Sequence, residues 1–163
     1  MTDYSLLAAQ LKALTEDERH YLPNLANASA LLYESLPDLN WCGFYLSAGD
    51  TLILGPFQGK TACIRIPYGK GVCGTAAQAD SAQLVPDVHL FPGHIACDSA
   101  SASEIVIPMH GADGKVVGVL DIDSPLKNRF TKEDLAGLSE AVTVLETSCV
   151  FDFRDVPSTS SEG

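Results

Sequence analysis

The residues best equipped for chemistry in this sequence are thiols and carboxyls gathered near one long loop. Val88 to Pro108 reads VHLFPGHIACDSASASEIVIP, which puts Cys97, two histidines and Asp98 into a run with no helical or strand period. A clean strand signal follows from Glu104 to Pro108. Five cysteines, Cys42, Cys63, Cys73, Cys97 and Cys149, make an odd set that does not read as a disulfide framework. They leave three options: buried inert thiols, metal ligands, or redox chemistry. Zinc would want paired short spacings such as C-x-x-C, and none exists; His94-Ile-Ala-Cys97 is a weak ligand pair. Cys42, in an aromatic strand, and Cys149, late in a helix, suit small core hydrophobes. A thiol at Cys97, in a loop of small residues, is hard to hide. Its acidic surroundings oppose thiolate formation, so reactivity there needs loop N–H groups, a histidine, or a substrate that activates itself.

The carboxyls come together through a hairpin. EIVIPMH, GADGK and VVGVLDID read as two strands turning at Asp113-Gly114. With those as the central turn residues, His110 faces Val117, Pro108 faces Val119, Val106 faces Asp121 and Glu104 faces Asp123. Side chains alternate along a strand, so Glu104, Asp121 and Asp123 share one face at the open end. Opposed Cβ atoms lie about 4.5–5.5 Å apart and diagonal ones about 7–8 Å. Like charges this close need an offset: a cation among them, or a carboxyl that keeps its proton to high pH. A substrate ammonium would supply the first and a general acid would be the second. A solvated hairpin end is the plain alternative; a Ca²⁺ or Mg²⁺ site is another, although the spacing matches no cation loop. Trp41 shares a strand face with Gly43 and Tyr45, either as core packing or as an aromatic wall for a ligand.

The elements that must carry these residues are α+β in type. YSLLAAQLKAL has apolar residues at helical spacing, and Thr15-Glu-Asp-Glu18 is a capping-box pattern opening a second helix to about Leu36. NWCGFYLS and TLILGPF, separated by AGD, read as a hairpin, and CIRIP as a third strand. GKGVCGTAAQAD is a turn leading into a short helix; it lacks the G-x-x-x-x-G-K-[ST] of a phosphate loop. AQLVPDV is a further strand. TKEDLAGLSEAVTVLETSC is a closing helix with Thr131 as N-cap and acids in its first turn. The sum is a single domain over 1–153: helices in 4–36, sheet and active-site loops in 40–123, a helix over 131–150, and a flexible tail at 154–163. An antiparallel sheet carries helices mainly on one face.

Composition excludes several classes. The chain has 163 residues and is 46% hydrophobic, enough for one well-packed core. A formal charge of −11, with ten scattered basic residues, argues against nucleic acid. No apolar run reaches a membrane span, and the first residues lack the pattern of a signal peptide, so a cytoplasmic protein is expected.

Four stretches resemble the free methionine-(R)-sulfoxide reductases, which are built on a GAF domain: NWCGFYL, LILGPFQGKTACIRIPYGKGVCGTAA, DVHLFPGHIACDSASASEIVIP and GVLDIDSP. The resemblance runs from about Asn40 to Phe130. It implies Cys97 as nucleophile, Cys63 as the resolving thiol and Cys73 as an alternative resolving thiol. It implies that Glu104, Asp121 and Asp123 hold the substrate ammonium, and that Trp41 and Tyr45 wall the methyl thioether end. It further implies thioredoxin as reductant, no cofactor or metal, and a homodimer. The rivals are a GAF module that senses a small ligand and a thiol redox sensor without turnover.

Overall fold

The computed structural model describes residues 1–95, 97 and 99–153; the expectations for the tail and for Asp98 lie outside them. Chain order is α1 (Tyr4–Thr15), α2 (Tyr21–Ser35), β1 (Trp41–Ala48), β2 (Thr51–Gly59), β3 (Arg65–Pro67), α3 (Gly71–Ala79), β4 (Gln83–Val85), β5 (Ser103–His110), β6 (Val116–Ser124) and α4 (Lys132–Ser148). The strands form one antiparallel six-stranded sheet in the order β3-β2-β1-β6-β5-β4.

Alternation along the strands divides the core in two. Cys42, Phe44 and Leu46 of β1, Ile105, Ile107 and Met109 of β5, and Leu120 and Ile122 of β6 meet the apolar stripes of α1, α2 and α4. Leu7, Leu11, Leu25, Leu32, Leu138 and Leu145 supply those stripes. The opposite face, with Trp41, Tyr45, Val106 and Val119, is covered by α3 and the loops around it. Cys42 and Cys149 are buried thiols of the first core.

Two local expectations need correction. The Thr15–Glu18 pattern does not cap α2. Thr15 belongs to the last turn of α1, on the buried face with Leu7 and Leu11, where its hydroxyl donates to Leu11 O and lies 2.9 Å from Ser148 Oγ. Tertiary packing thus outweighs the local motif. His20 caps α2 instead, its Nδ1 accepting from Leu22 N at 3.1 Å. The acids Glu16 to Glu18 lie between the two helices rather than inside the second.

The β5–β6 turn is the other. Gly114 N donates to Gly111 O, so Ala112 and Asp113 are the central turn residues and Gly114 follows at φ +79°. The turn sits one residue earlier than expected, and His110 pairs with Val116 rather than Val117. A bulge between Met109 and His110 absorbs the difference. From Met109 onward the register is the expected one, including Glu104 opposite Asp123 and Val106 opposite Asp121. The closing helix starts one residue after Thr131, its N-cap, and stops at Ser148 rather than 150.

Candidate active site

The three central strands bring the acids and the aromatics into adjacent rows. Trp41 of β1 pairs with Asp123 of β6, which pairs with Glu104 of β5; Gly43 pairs with Asp121, which pairs with Val106. Glu104 and Asp121 are only 6% and 5% exposed, so two carboxyls lie inside the protein, with Asp123 half-buried beside them. Asp121 Oδ1 is buried and accepts no hydrogen bond. Above the acids lies α3, whose Cys73 Sγ is 3.9 Å from Glu104 Oε2.

The aromatic wall is larger than the sequence suggested. Trp41 stacks on Tyr45 at 5.8 Å between centroids and on Phe57 at 5.1 Å. Phe57 sits opposite Gly43 in the β1–β2 ladder, where a Cβ at Gly43 would fall 2.2 Å from Phe57 Cβ. A glycine inside an otherwise aromatic strand is a signal of close approach, and it could have pointed to such a neighbour. Both polar tips of the wall hold the chain after β2: Trp41 Nε1 donates to Lys60 O at 3.1 Å and Tyr45 Oη to Cys63 O at 2.9 Å.

That segment carries the first half of a disulfide. Cys63 is bonded to Cys97, with Cα atoms 5.6 Å apart. The bond joins the β2–β3 connection to the long loop before β5. Cys97, together with Trp41, Tyr45, Glu104, Asp121, Asp123 and Cys73, lines one cleft of about 520 Å³, its open mouth included, and the disulfide ties Cys63 to it. All the site residues singled out from the sequence except Cys63 therefore border a single space, and of the three site thiols Cys73 is the buried one outside the disulfide.

The match to known proteins is extensive. The family model described as "GAF domain" covers residues 14–148. Free methionine-R-sulfoxide reductase of Escherichia coli is 56% identical over 143 residues, spanning 88% of this chain and 86% of the relative. The protein of the same name from Saccharomyces cerevisiae is 47% identical, spanning 89% and 84%. Among solved structures, fRMsr of Staphylococcus aureus in complex with substrate superposes with a TM-score of 0.87 at 51% identity, covering 91% of this chain and 96% of that one. The chain belongs to the GAF-domain family, in its free methionine-R-sulfoxide reductase branch.

The electrostatics of this GAF pocket are those of acids kept from water. Burial first, then Asp121 and Asp123, push the Glu104 carboxyl well above the usual carboxylate range. Burial raises Asp121 as well, while hydrogen bonds from Glu104 and Cys73 pull it back. Burial and the same carboxylates hold the Cys73 thiol well above its ordinary value. Cys73 Sγ and oxygens of Glu104 and Asp121 lie within 4.8 Å of one another, a donor set able to hold a cation. A metal ion there would require all three to lose protons, a desolvation cost that the charge of the ion would have to offset. An organic ammonium needs only acceptor oxygens and brings its own donors. The entrance of α3 adds the complementary charge. Lys70, its N-cap, gives no side-chain acceptor, so the first amides of the helix have neither a capping side chain nor an intrahelical partner, and Gly71 and Val72 border the cleft. In the sequence, GKGVCG carries the signal of a helix entry and nothing that marks this role.

Proposed function

We propose that this protein reduces free methionine-(R)-sulfoxide to methionine, using Cys97 as nucleophile and Cys63 as resolving thiol. The observation that carries the reading is the Cys63–Cys97 disulfide beside a buried acid cluster in which Asp121 Oδ1 accepts no hydrogen bond. Such a site accommodates a small zwitterion. The substrate ammonium is held by Asp121, Asp123 and Glu104, and its carboxylate is met by the amides at the start of α3 with Lys70 nearby. Trp41 and Tyr45 take the methyl thioether end.

In the reduced enzyme, the Cys97 thiolate attacks the sulfoxide sulfur while the oxygen gains a proton, a donation suited to Glu104, whose carboxyl burial keeps protonated. The sulfur–oxygen bond of the substrate breaks, methionine leaves, and the oxygen stays on Cys97 as a sulfenic acid. The Cys63 thiol then attacks the sulfenic sulfur, expelling water and forming the disulfide. A dithiol restores both thiols; the family resemblance assigns this to thioredoxin. Cys73, with its thiol held protonated by burial beside Glu104, is poorly suited to attack and serves as an alternative partner only.

A methionine inside a polypeptide has an amide in place of the ammonium, so it offers the acids no charge and leaves them buried and unpaired. The family resemblance also supports a cytoplasmic homodimer, which light scattering of the purified protein tests for assembly. Among the described residues no helix is long and apolar enough to cross a membrane.

The test is methionine release from each sulfoxide epimer, free and peptide-bound, with dithiothreitol. Turnover confined to the free R epimer supports the reading. No turnover of any form would overturn it and leave a ligand- or redox-sensing GAF module.

A further inference from the structure

The charge of the chain is unevenly spread, and the exception surrounds the disulfide. Overall there are 21 acidic residues against ten basic ones. Between Asp50 and Asp80, however, no Asp or Glu occurs, while Lys60, Arg65 and Lys70 do. This stretch contains Cys63, and all three basic residues are exposed. On the Cys97 side, Asp98 is the one acidic residue of the sequence between Asp87 and Glu104. The same rim is apolar where it meets solvent. Ile64, next to Cys63, is 69% exposed, and Ile95, two residues before Cys97, is 37% exposed. Ile64 and Arg65 begin the outermost strand end of the sheet, with Leu54 N donating to Ile64 O and Arg65 paired to Ile53.

We propose that Ile64, Arg65, Ile95 and Lys60 form the docking surface for an acidic protein that presents a dithiol to the Cys63–Cys97 bond. The inference rests on the proposed reductase cycle and names the partner surface of that same site. Charge complementarity selects the occupant: elsewhere this acidic surface repels a partner of net negative charge, so the approach is steered to the basic rim. The exposed isoleucines provide apolar contact beside the reacting sulfurs, where burial on docking excludes water. In the step itself, a partner thiolate attacks one sulfur of the disulfide, forming a mixed disulfide and releasing the other cysteine as a thiolate. The second partner thiol then attacks the mixed disulfide and frees the remaining cysteine. Two electrons pass from the partner, which leaves as a disulfide, to this chain, which leaves as two thiols.

The experiment compares reduction of the isolated disulfide form by a thioredoxin of net negative charge and by neutral dithiothreitol, followed by stopped-flow tryptophan fluorescence. No sulfoxide is present, so failure of the reductase reading would not affect this readout. For the wild-type protein, the thioredoxin rate constant falls steeply as salt rises, and the dithiothreitol rate constant does not. The variants Ile64→Glu and Arg65→Glu lose roughly tenfold or more with thioredoxin, the scale of electrostatic steering, and keep the dithiothreitol rate. The milder Arg65→Gln lowers the thioredoxin rate less and flattens its salt dependence. A wild-type thioredoxin rate independent of salt, or Ile64→Glu and Arg65→Glu reacting with thioredoxin as fast as wild type, overturns the proposal. So does an equal loss with both reductants in all three variants, because the surface would then support the disulfide's geometry rather than a partner.

Discussion

At the scale of single residues, the site works by denying water to acids. Glu104 and Asp121 lie diagonally across β5 and β6 with almost no exposure, and burial raises both. A carboxyl raised in this way stays protonated beyond the ordinary range, so methionine production should fall as pH rises through the Glu104 titration. Glu104→Gln, which cannot release a proton, should weaken substrate binding, lower kcat and remove that pH limb; unchanged kinetics would break the assignment. Cys97→Ser should release no methionine at all. Cys63→Ser should give about one turnover per site and then stall with thioredoxin, as its sulfenic acid lacks a partner. Cys73→Ser should sustain thioredoxin-driven turnover while Cys63 remains; its failure would move the resolving role to Cys73. Rapid-quench methionine yield against steady-state rate separates these cases.

Elements differ in how far their sequence announces them. Thr131 was legible as an N-cap because a hydroxyl residue precedes acids and an apolar stripe, and its Oγ1 does accept from Asp134 N at 3.2 Å while Asp134 Oδ2 accepts from Thr131 N at 2.8 Å. Thr131→Ala should cost about 1 kcal/mol in a urea melt. Gly137, in the middle of the same helix, carries no such local signal. A Cβ there would fall 2.1 Å from Tyr4 Cγ, so the glycine exists for a ring 133 residues away in sequence, whose hydroxyl donates to Asp134 Oδ1 at 2.5 Å. Gly137→Ala, normally favourable in a helix, should here destabilise by about 1–3 kcal/mol through overpacking. The same division explains the site. Alternation and turn chemistry sufficed to find the carboxylate row, since a hairpin's register is local and a bulge near the turn left the open end unchanged. The Thr15 motif misled because its neighbours are Leu11 and Ser148, and Phe57 was missed because its contact with Trp41 crosses a strand pair. The pairing of Cys63 with Cys97 joins two loops and follows from no periodicity; only the family resemblance offered it.

For the molecule as a whole, the sheet must hold α3 still, because the start of that helix faces the cleft while its other end lies beyond it. Asp80, the C-cap of α3, lies 2.6 Å from His110 Nε2, and His110 Nδ1 lies 2.9 Å from Glu146 of α4. One imidazole on β5 therefore ties a helix on the site face to a helix on the opposite face. Burial alone would lower the His110 pKa, but hydrogen bonds and charge from Asp80 and Glu146 outweigh it and raise the value. A histidine whose folded pKa exceeds its unfolded value near 6.5 gives stability that is complete below that unfolded value. That stability is lost as pH rises through the folded value, where the tie becomes neutral. The side chains of His110 and Asp80 are 35% and 50% exposed, so solvent and salt reduce the effect to about 0.2–1 kcal/mol. Wild type should thus be more stable at about pH 5.5 than at about pH 8.5 relative to His110→Gln, with the two converging in alkali. Thermal melts of both proteins across that range measure the difference, and parallel curves would mean that folding leaves the His110 titration unshifted.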